Sequence, residues 1–351
     1  MSYKMYSKVI VNQILLHNSP RRFVDQNGNR YEELDRDFMA KHAFDGKYSI
    51  FQCIKNDSQG CMGKIALQDQ SKTAKVIQFH SCRWSYEEAS TFSYLRYGVN
   101  KYIRSGYHPP VQTWMERWNL LWSVHSETWN IWTHAVGIII STYYLWNTVF
   151  YMDGPDYWML VFHDLMDLNL YCGSTVYHWL HICSTRWCKR LSYLDHCGVA
   201  NAAFVSHFVW MYYALRQEYF WFGFYFLILC LLVLSKLAIS LKNIISRKFN
   251  FTLDGIRVHL LLGQHLLMLF ITGHQLLVRK TCTMFPAECC NHLLLLLLCY
   301  WIGFIAYGVK LPESIWPGNF DTVCNGHQIM HVSIVIGSIL KRYSFNCLRH
   351  I

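Results

Sequence analysis

Two histidines, His327 and His331, open the apolar stretch NGHQIMHVSIVIGSIL at residues 325–340. Residues four apart share one face of a helix, so both rings can point at a common object. The spacing suits two buried, hydrogen-bonded histidines, and it equally suits a metal. The choice depends on what else the chain places at the same level. HSETWNIWTHAVG offers Glu127, Asn130 and His134 at spacings of three and four. GSTVYHWLH offers Ser174 and His178, again one turn apart, and LSYLDHCGVA offers Asp195. His178, His327 and His331 would supply a three-histidine set, which together with a water is a common catalytic zinc arrangement. Zinc lowers the pKa of such a water from 15.7 to about 7 and so yields a nucleophile at neutral pH. Asp195 would hold that water or act as general base. Ser174 would bond the same water or a substrate carbonyl oxygen. Glu127, Asn130 and His134 would form a polar network that holds their helix against the site.

These residues sit in a chain built for lipid. Of 351 residues, 53% are hydrophobic and only 15% charged, well below the roughly 25% of an ordinary soluble domain. Residues 1–117 hold 17 of the 32 Lys and Arg, so the remaining two thirds carry few charges between apolar blocks. A spanning helix needs about 20 mostly apolar residues. Seven segments qualify, at 127–151, 156–180, 191–215, 219–241, 254–278, 291–310 and 323–341. The expected fold is therefore an all-α, seven-transmembrane helix bundle. Its domains are a polar cytosolic region (1–100), an interfacial segment (101–126), the bundle (127–341) and a short tail (342–351).

Basic residues in short loops favour the cytosol. Arg186, Lys189, Arg190, Lys242, Arg247, Lys248 and Lys310 fall on one side, against Arg216, Arg279 and Lys280 on the other. The N-terminus is thus expected in the cytosol and the C-terminus outside, with Lys341, Arg342 and Arg349 assigned to the tail. The start of an odd span and the end of an even one share a leaflet. All eight polar residues named above therefore fall in the cytosolic leaflet, and buried ionisable groups at one depth mark a site.

TWMERWNLLWSV ahead of the first span sets Trp114, Trp118, Leu121 and Trp122 on one face, as an interfacial helix would. KYSIFQCI and AKVIQFHS within residues 1–100 have the composition of short strands of a small domain; the alternative is partial disorder. No signal peptide is expected at the N-terminus. Cys282, Cys289 and Cys290 share a loop in which a disulfide is one option. The net charge of +10 is accounted for by loops, and no basic helix suggests a nucleic-acid partner.

The polar motifs also carry a resemblance. HSETWNIWTHAVG, GSTVYHWLHICS with LSYLDHCG, and GHQIMHVSIVIG are similar to the three signature motifs of the progestin and adiponectin receptor family. NKYIRSGYHPP and LPESIWPGNFD extend the likeness over residues 100–341. It implies seven helices, a cytosolic N-terminus and, in adiponectin-receptor members, zinc near the cytosolic face on histidines matching His178, His327 and His331. Ser174 and Asp195 match the family's serine and aspartate. Those members are associated with hydrolysis of the ceramide amide; other branches are steroid-responsive receptors or Golgi scaffolds. Three departures stand out. Gly326 replaces a usual serine, His196 follows the aspartate where tyrosine is common, and Asp164 and Asp167 interrupt an apolar span. With Tyr171, Ser174 and His178 these two acids share one helix face. They would either line a cavity above the metal, or sit near the opposite interface (Asp164) and bond a neighbouring helix (Asp167).

Two functions follow. One is a zinc hydrolase cutting a ceramide-like lipid amide in lipid-linked signalling. The other is a receptor for an extracellular protein or steroid, or an anchor, with structural zinc and cytosolic partners recruited by the N-terminal region. A di-iron desaturase needs more histidine boxes than this chain has. Plasma membrane and Golgi or ER are equally open as locations.

Overall fold

The apolar runs fold as long helices close to their expected bounds. The computed structural model describes the strand residues within 22–79, parts of 84–111, and residues 113–349 apart from 184, 216, 246–250 and 279–286. Five strands come first: β1 (Arg22–Val24), β2 (Arg30–Glu33), β3 (Tyr48–Cys53), β4 (Lys64–Gln68) and β5 (Ile77–Phe79). They form one antiparallel sheet in sequence order, with Phe51 opposite Ile65 and Lys64 opposite Phe79. The two segments with strand composition contain β3 and β5.

Eight helices follow among the described residues. The short α1 (Trp114–Trp122) starts on a capping box. The Thr113 hydroxyl accepts the Glu116 N–H at 3.2 Å and the Glu116 carboxylate accepts the Thr113 N–H at 3.0 Å, which satisfies two orphan donors of the first turn. Trp114, Trp118 and Trp122 are exposed and Leu120 is buried, the division expected of a helix lying along an interface. Seven long helices come next: α2 (Thr128–Tyr151), α3 (Tyr157–Leu180), α4 (Thr185–Leu215) and α5 (Tyr219–Ile245), then α6 (Phe251–Val278), α7 (Ala287–Val309) and α8 (Gly326–Arg349).

Successive helices pack side by side from α2 to α6, α7 lies along α8, and α8 returns against α2. Beside an apolar core that includes Leu160, Met211, Leu229 and Ile271, the interior also holds charge. Asp164, Asp167, Lys341 and Arg342 are all buried, whereas Ile139, Leu231 and Leu294 are exposed. Lipid gives helices no hydrophobic drive to associate, so close packing and polar contacts must hold them. α3 and α4 show this: a Cβ on Gly198 would lie 2.9 Å from the Leu170 Cα. Segments Tyr219–Ile239 and Asn291–Val309 are long and apolar enough to cross a membrane. Buried polar residues dilute the hydropathy of the other long helices.

α8 departs from expectation. It continues to Arg349 instead of giving way to a tail after 341. Lys341 and Arg342, assigned to that tail as solvated charges, are 4% and 2% exposed inside the bundle. They stay in the helix because Asp167 and Asp164 on α3 pair with them. Cys282, Cys289 and Cys290 lie outside the residues whose side chains are described.

Candidate metal centre

The site forms where the start of α2, the end of α3 and the start of α8 meet. Each of these helix ends is fixed by polar contacts. Glu313, fully buried, accepts the Gly326 N–H at 2.7 Å and so caps α8, and its other oxygen accepts the Asn100 amide at 3.0 Å. Asp321 accepts the Arg104 N–H (2.8 Å), the Ser105 N–H (2.9 Å) and the Ser105 hydroxyl (2.7 Å). The two flanking motifs NKYIRSGYHPP and LPESIWPGNFD thus clamp each other beneath the site. Burial pushes the Tyr107 phenol well above its ordinary range, so it remains protonated and donates to the Asn100 carbonyl at 3.0 Å. Gln328 donates to the Ser126 carbonyl at 3.2 Å and the Thr322 carbonyl at 2.9 Å, tying α8 to the entry of α2.

Gly326 explains its own departure from the usual serine. A Cβ there would stand 2.2 Å from the Ala306 carbonyl oxygen of α7. Only glycine lets α8 begin so close to its neighbour.

Within this frame one ring nitrogen from each of His178, His327 and His331 lies within 4.8 Å of the others, close enough to share a metal ion. The orientation of two rings is set from behind. The Glu127 carboxylate accepts from His178 Nδ1 at 2.7 Å, and the Asn130 side chain donates to the same oxygen at 2.7 Å. The Asn130 main-chain carbonyl accepts from His331 Nδ1 at 3.2 Å. Carboxylate and carbonyl oxygens accept, so Nδ1 carries the proton of each neutral ring and leaves its Nε2 lone pair bare. Bare Nε2 atoms backed by such acceptors are the arrangement of histidine ligands to zinc. His134 stacks on His331 with ring centroids 3.7 Å apart, and the Tyr307 ring lies edge-on to His327 at 5.2 Å. The donor set fits a borderline-soft divalent cation such as zinc.

Every residue singled out in the sequence can now be placed. Glu127, Asn130 and His134 each touch a member of the histidine trio directly or through its ring. Ser174 is buried one turn before His178. Asp195, half-buried on α4, follows Leu194, whose carbonyl packs on the Gly173 position of α3. Asp195 and Ser174 therefore adjoin one helix crossing, and Asp195 is not a member of the metal-ligand group. Beside His178 is a small cavity of about 30 Å³ lined by Tyr107, His125, Glu127, His178 and His181. Asp167 bonds the neighbouring α8, as one of the two alternatives required, and Asp164 is buried and paired with Arg342. Sequence reasoning missed Glu313 and Asp321. Their only sign was an acidic residue in an otherwise apolar, proline-containing loop.

A helical bundle with buried charge beside its apolar core, an apolar exterior and three histidines converging at one end defines a class: membrane-type bundles with a candidate metal centre. The model of the family described as "Haemolysin-III related" matches residues 122–341, and the chain belongs to that family, the progestin and adiponectin receptor proteins. The chain is 23% identical over 336 residues to the progestin and adipoQ receptor-like protein 1 of Caenorhabditis elegans, covering 93% of this chain and 72% of that one. It is 23% identical to the adiponectin receptor protein of Drosophila melanogaster over 70% of this chain and 56% of the relative. With the membrane progestin receptor alpha of Mus musculus the identity is 27%, over 68% and 71% respectively.

Proposed function

We propose that the chain is a seven-span membrane protein that holds zinc on His178, His327 and His331 and hydrolyses the amide of a ceramide-like lipid. The observation that carries this reading is the pair of acceptors behind the rings, Glu127 on His178 and Asn130 on His331. A merely packed histidine has no need of a bare, convergent Nε2. Three protein donors also suit a catalytic site, since structural zinc is almost always held by four.

The orientation with the α8 C-terminus outside is supported by Cys347, near the end of α8, which is disulfide-bonded. Disulfides persist in oxidising compartments, so the opposite end, carrying the histidines, faces the cytosol. The loop charges agree.

Zinc bound at the trio would supply Lewis acidity and a water of lowered pKa. Glu127 and Asn130 hold the rings in the ligating tautomer. Asp195 accepts the proton of the attacking water and passes it to the departing amine, and Ser174 donates to the carbonyl oxygen. The products are a fatty acid and a sphingoid base. Acyl chains lie in the bilayer, while the cavity beside Glu127, His178 and His181 admits water.

The receptor reading is supported by the printed names of the relatives, which are progestin and adiponectin receptors. There zinc is structural, the ligand is an extracellular protein or a steroid, and cytosolic partners meet the region of the β-sheet. One preparation separates the two. Purified protein in nanodiscs should carry about one zinc per chain and release sphingoid base from ceramide. Asp195→Asn should keep its zinc and lose on the order of 100-fold or more of that rate. Wild-type protein fully loaded with zinc but without turnover above background would establish the receptor reading instead.

A further inference from the structure

Among the described residues outside the metal centre, α3 and α8 share a cluster of buried charge whose contacts fall in an antiparallel order. Tyr171 donates to the Ser338 hydroxyl at 2.8 Å. Next toward the outer end, Lys341 donates to Asp167 at 3.0 Å and to Ser206 of α4 at 2.9 Å. Arg342 Nε then stands 3.7 Å from Asp164, and Thr148 of α2 bridges the two, accepting from Arg342 and donating to Asp164 at 2.6 Å each. The His163 ring meets Phe345 edge-on at 5.0 Å. Last, Arg349 pairs with Asp156 at 3.0 Å, and Tyr213 donates to the same acid at 2.8 Å. The order is antiparallel: the contacts move back along α3 toward its N-cap Asp156 as they move forward along α8, by unequal steps. Asp156 precedes His178 by 22 residues and Arg349 follows His327 by the same 22, about 33 Å of helix at 1.5 Å per residue.

We propose that these contacts are a single antiparallel polar zipper in which the metal centre is the innermost rung, making Asp167, Lys341 and Arg349 positioning residues for His327 and His331. The inference rests on the zinc reading above. Its physical basis is register. Sliding α8 by one residue moves it 1.5 Å and turns its faces by about 100°. Asp164, Asp167, Lys341 and Arg342 would then all lose their partners inside the bundle, and a buried charge without a partner is strongly destabilising. One register survives, and in it the two α8 histidines arrive level with His178. Coupling of this kind is reciprocal: if outer rungs hold the ligands in place, a bound ion must also tighten the outer rungs.

The test uses full-length protein in nanodiscs and Zn²⁺ as the probe, with affinity measured by chelator competition. Lys341→Met and Asp167→Asn should each weaken zinc binding by about tenfold, and the double variant by much less than the product. Arg349→Ala, at the far end and partly exposed, should weaken it about twofold, and Arg349→Lys should restore it. Zn²⁺ should also slow amide exchange in residues 341–349 of the wild type, and not in Asp167→Asn. A residue that served only overall stability would lower the melting temperature and leave the affinity of the folded protein unchanged. Zinc bound with equal affinity by all variants, with outer-end exchange indifferent to it, overturns the zipper alone. Failure of the wild type to bind zinc at all overturns the zipper and the metal reading together. Should Lys341→Met not fold, the Arg349 pair and the exchange measurement decide.

Discussion

The two ends of the α3–α8 pair use the same device and leave it in opposite states. Both place polar side chains at three- and four-residue spacing on a buried face of α3. At the outer end every strong charge meets its opposite, Asp167 with Lys341 and Asp164 with Arg342. At the inner end Glu127 and the Asn130 carbonyl occupy only the rear nitrogens of His178 and His331, and the front nitrogens converge on one another. At the outer end each charge already has its counter-charge, although Arg342 Nε and Nη1 make no hydrogen bond among the described residues. Three convergent lone pairs need a cation. The lesson is that polar periodicity in an apolar helix announces a cluster, and the partner helix decides whether the cluster is structural or ligand-seeking.

The contrast can be broken most severely at the inner end. His327→Ala combined with His331→Ala should reduce zinc from about one per chain to almost none by elemental analysis, with the metal-free fold largely intact. Stoichiometric metal in that variant would remove the basis for the centre. At the outer end Lys341→Met should cost roughly 3–5 kcal/mol of stability in detergent, because Asp167 loses its cation inside the bundle. Replacing both members, Asp167→Leu with Lys341→Met, should recover most of that loss; a single variant no less stable than the double would contradict the closed-pair description. Glu127→Gln sharpens the inner end, since a neutral amide holds the His178 proton less strongly. Zinc affinity should fall by about 10–100-fold, and an unchanged affinity would leave Glu127 no role behind the ring. The smallest effect is expected at Gly326→Ala, where the new methyl meets the Ala306 carbonyl. Overpacking of this kind costs about 1–3 kcal/mol, measurable as a lower melting temperature with zinc retained.

Much of the candidate site was legible because helix periodicity and membrane parity are both counting rules. Once seven apolar runs are marked, Glu127, Asn130, His134, His178, His327 and His331 must fall at one end of the bundle. Lys341 and Arg342 were misjudged for an equally plain reason. Two adjacent basic residues after an apolar run normally mark a helix leaving the membrane, and the run itself does not reveal that α3 carries acids at the matching height. Pairing Asp164 and Asp167 with the two basic residues depends on the antiparallel order in which side chains of α8 reach α3. No period marks Glu313 and Asp321, because both acids and their partners Asn100, Arg104 and Ser105 lie in loops. Loop conformation follows no period.

The sequence by itself determined the number of long helices, their order and the level at which each polar residue enters the bundle, because length and period are properties of one segment. Only the tertiary structure decided which side chains face each other. It set the tautomers of His178 and His331, the pairing of Asp167 with Lys341, and the need for glycine at 326. Those are distances between segments far apart in the chain, and they exist only once helices with no hydrophobic reason to associate have found the single register in which their buried charges cancel.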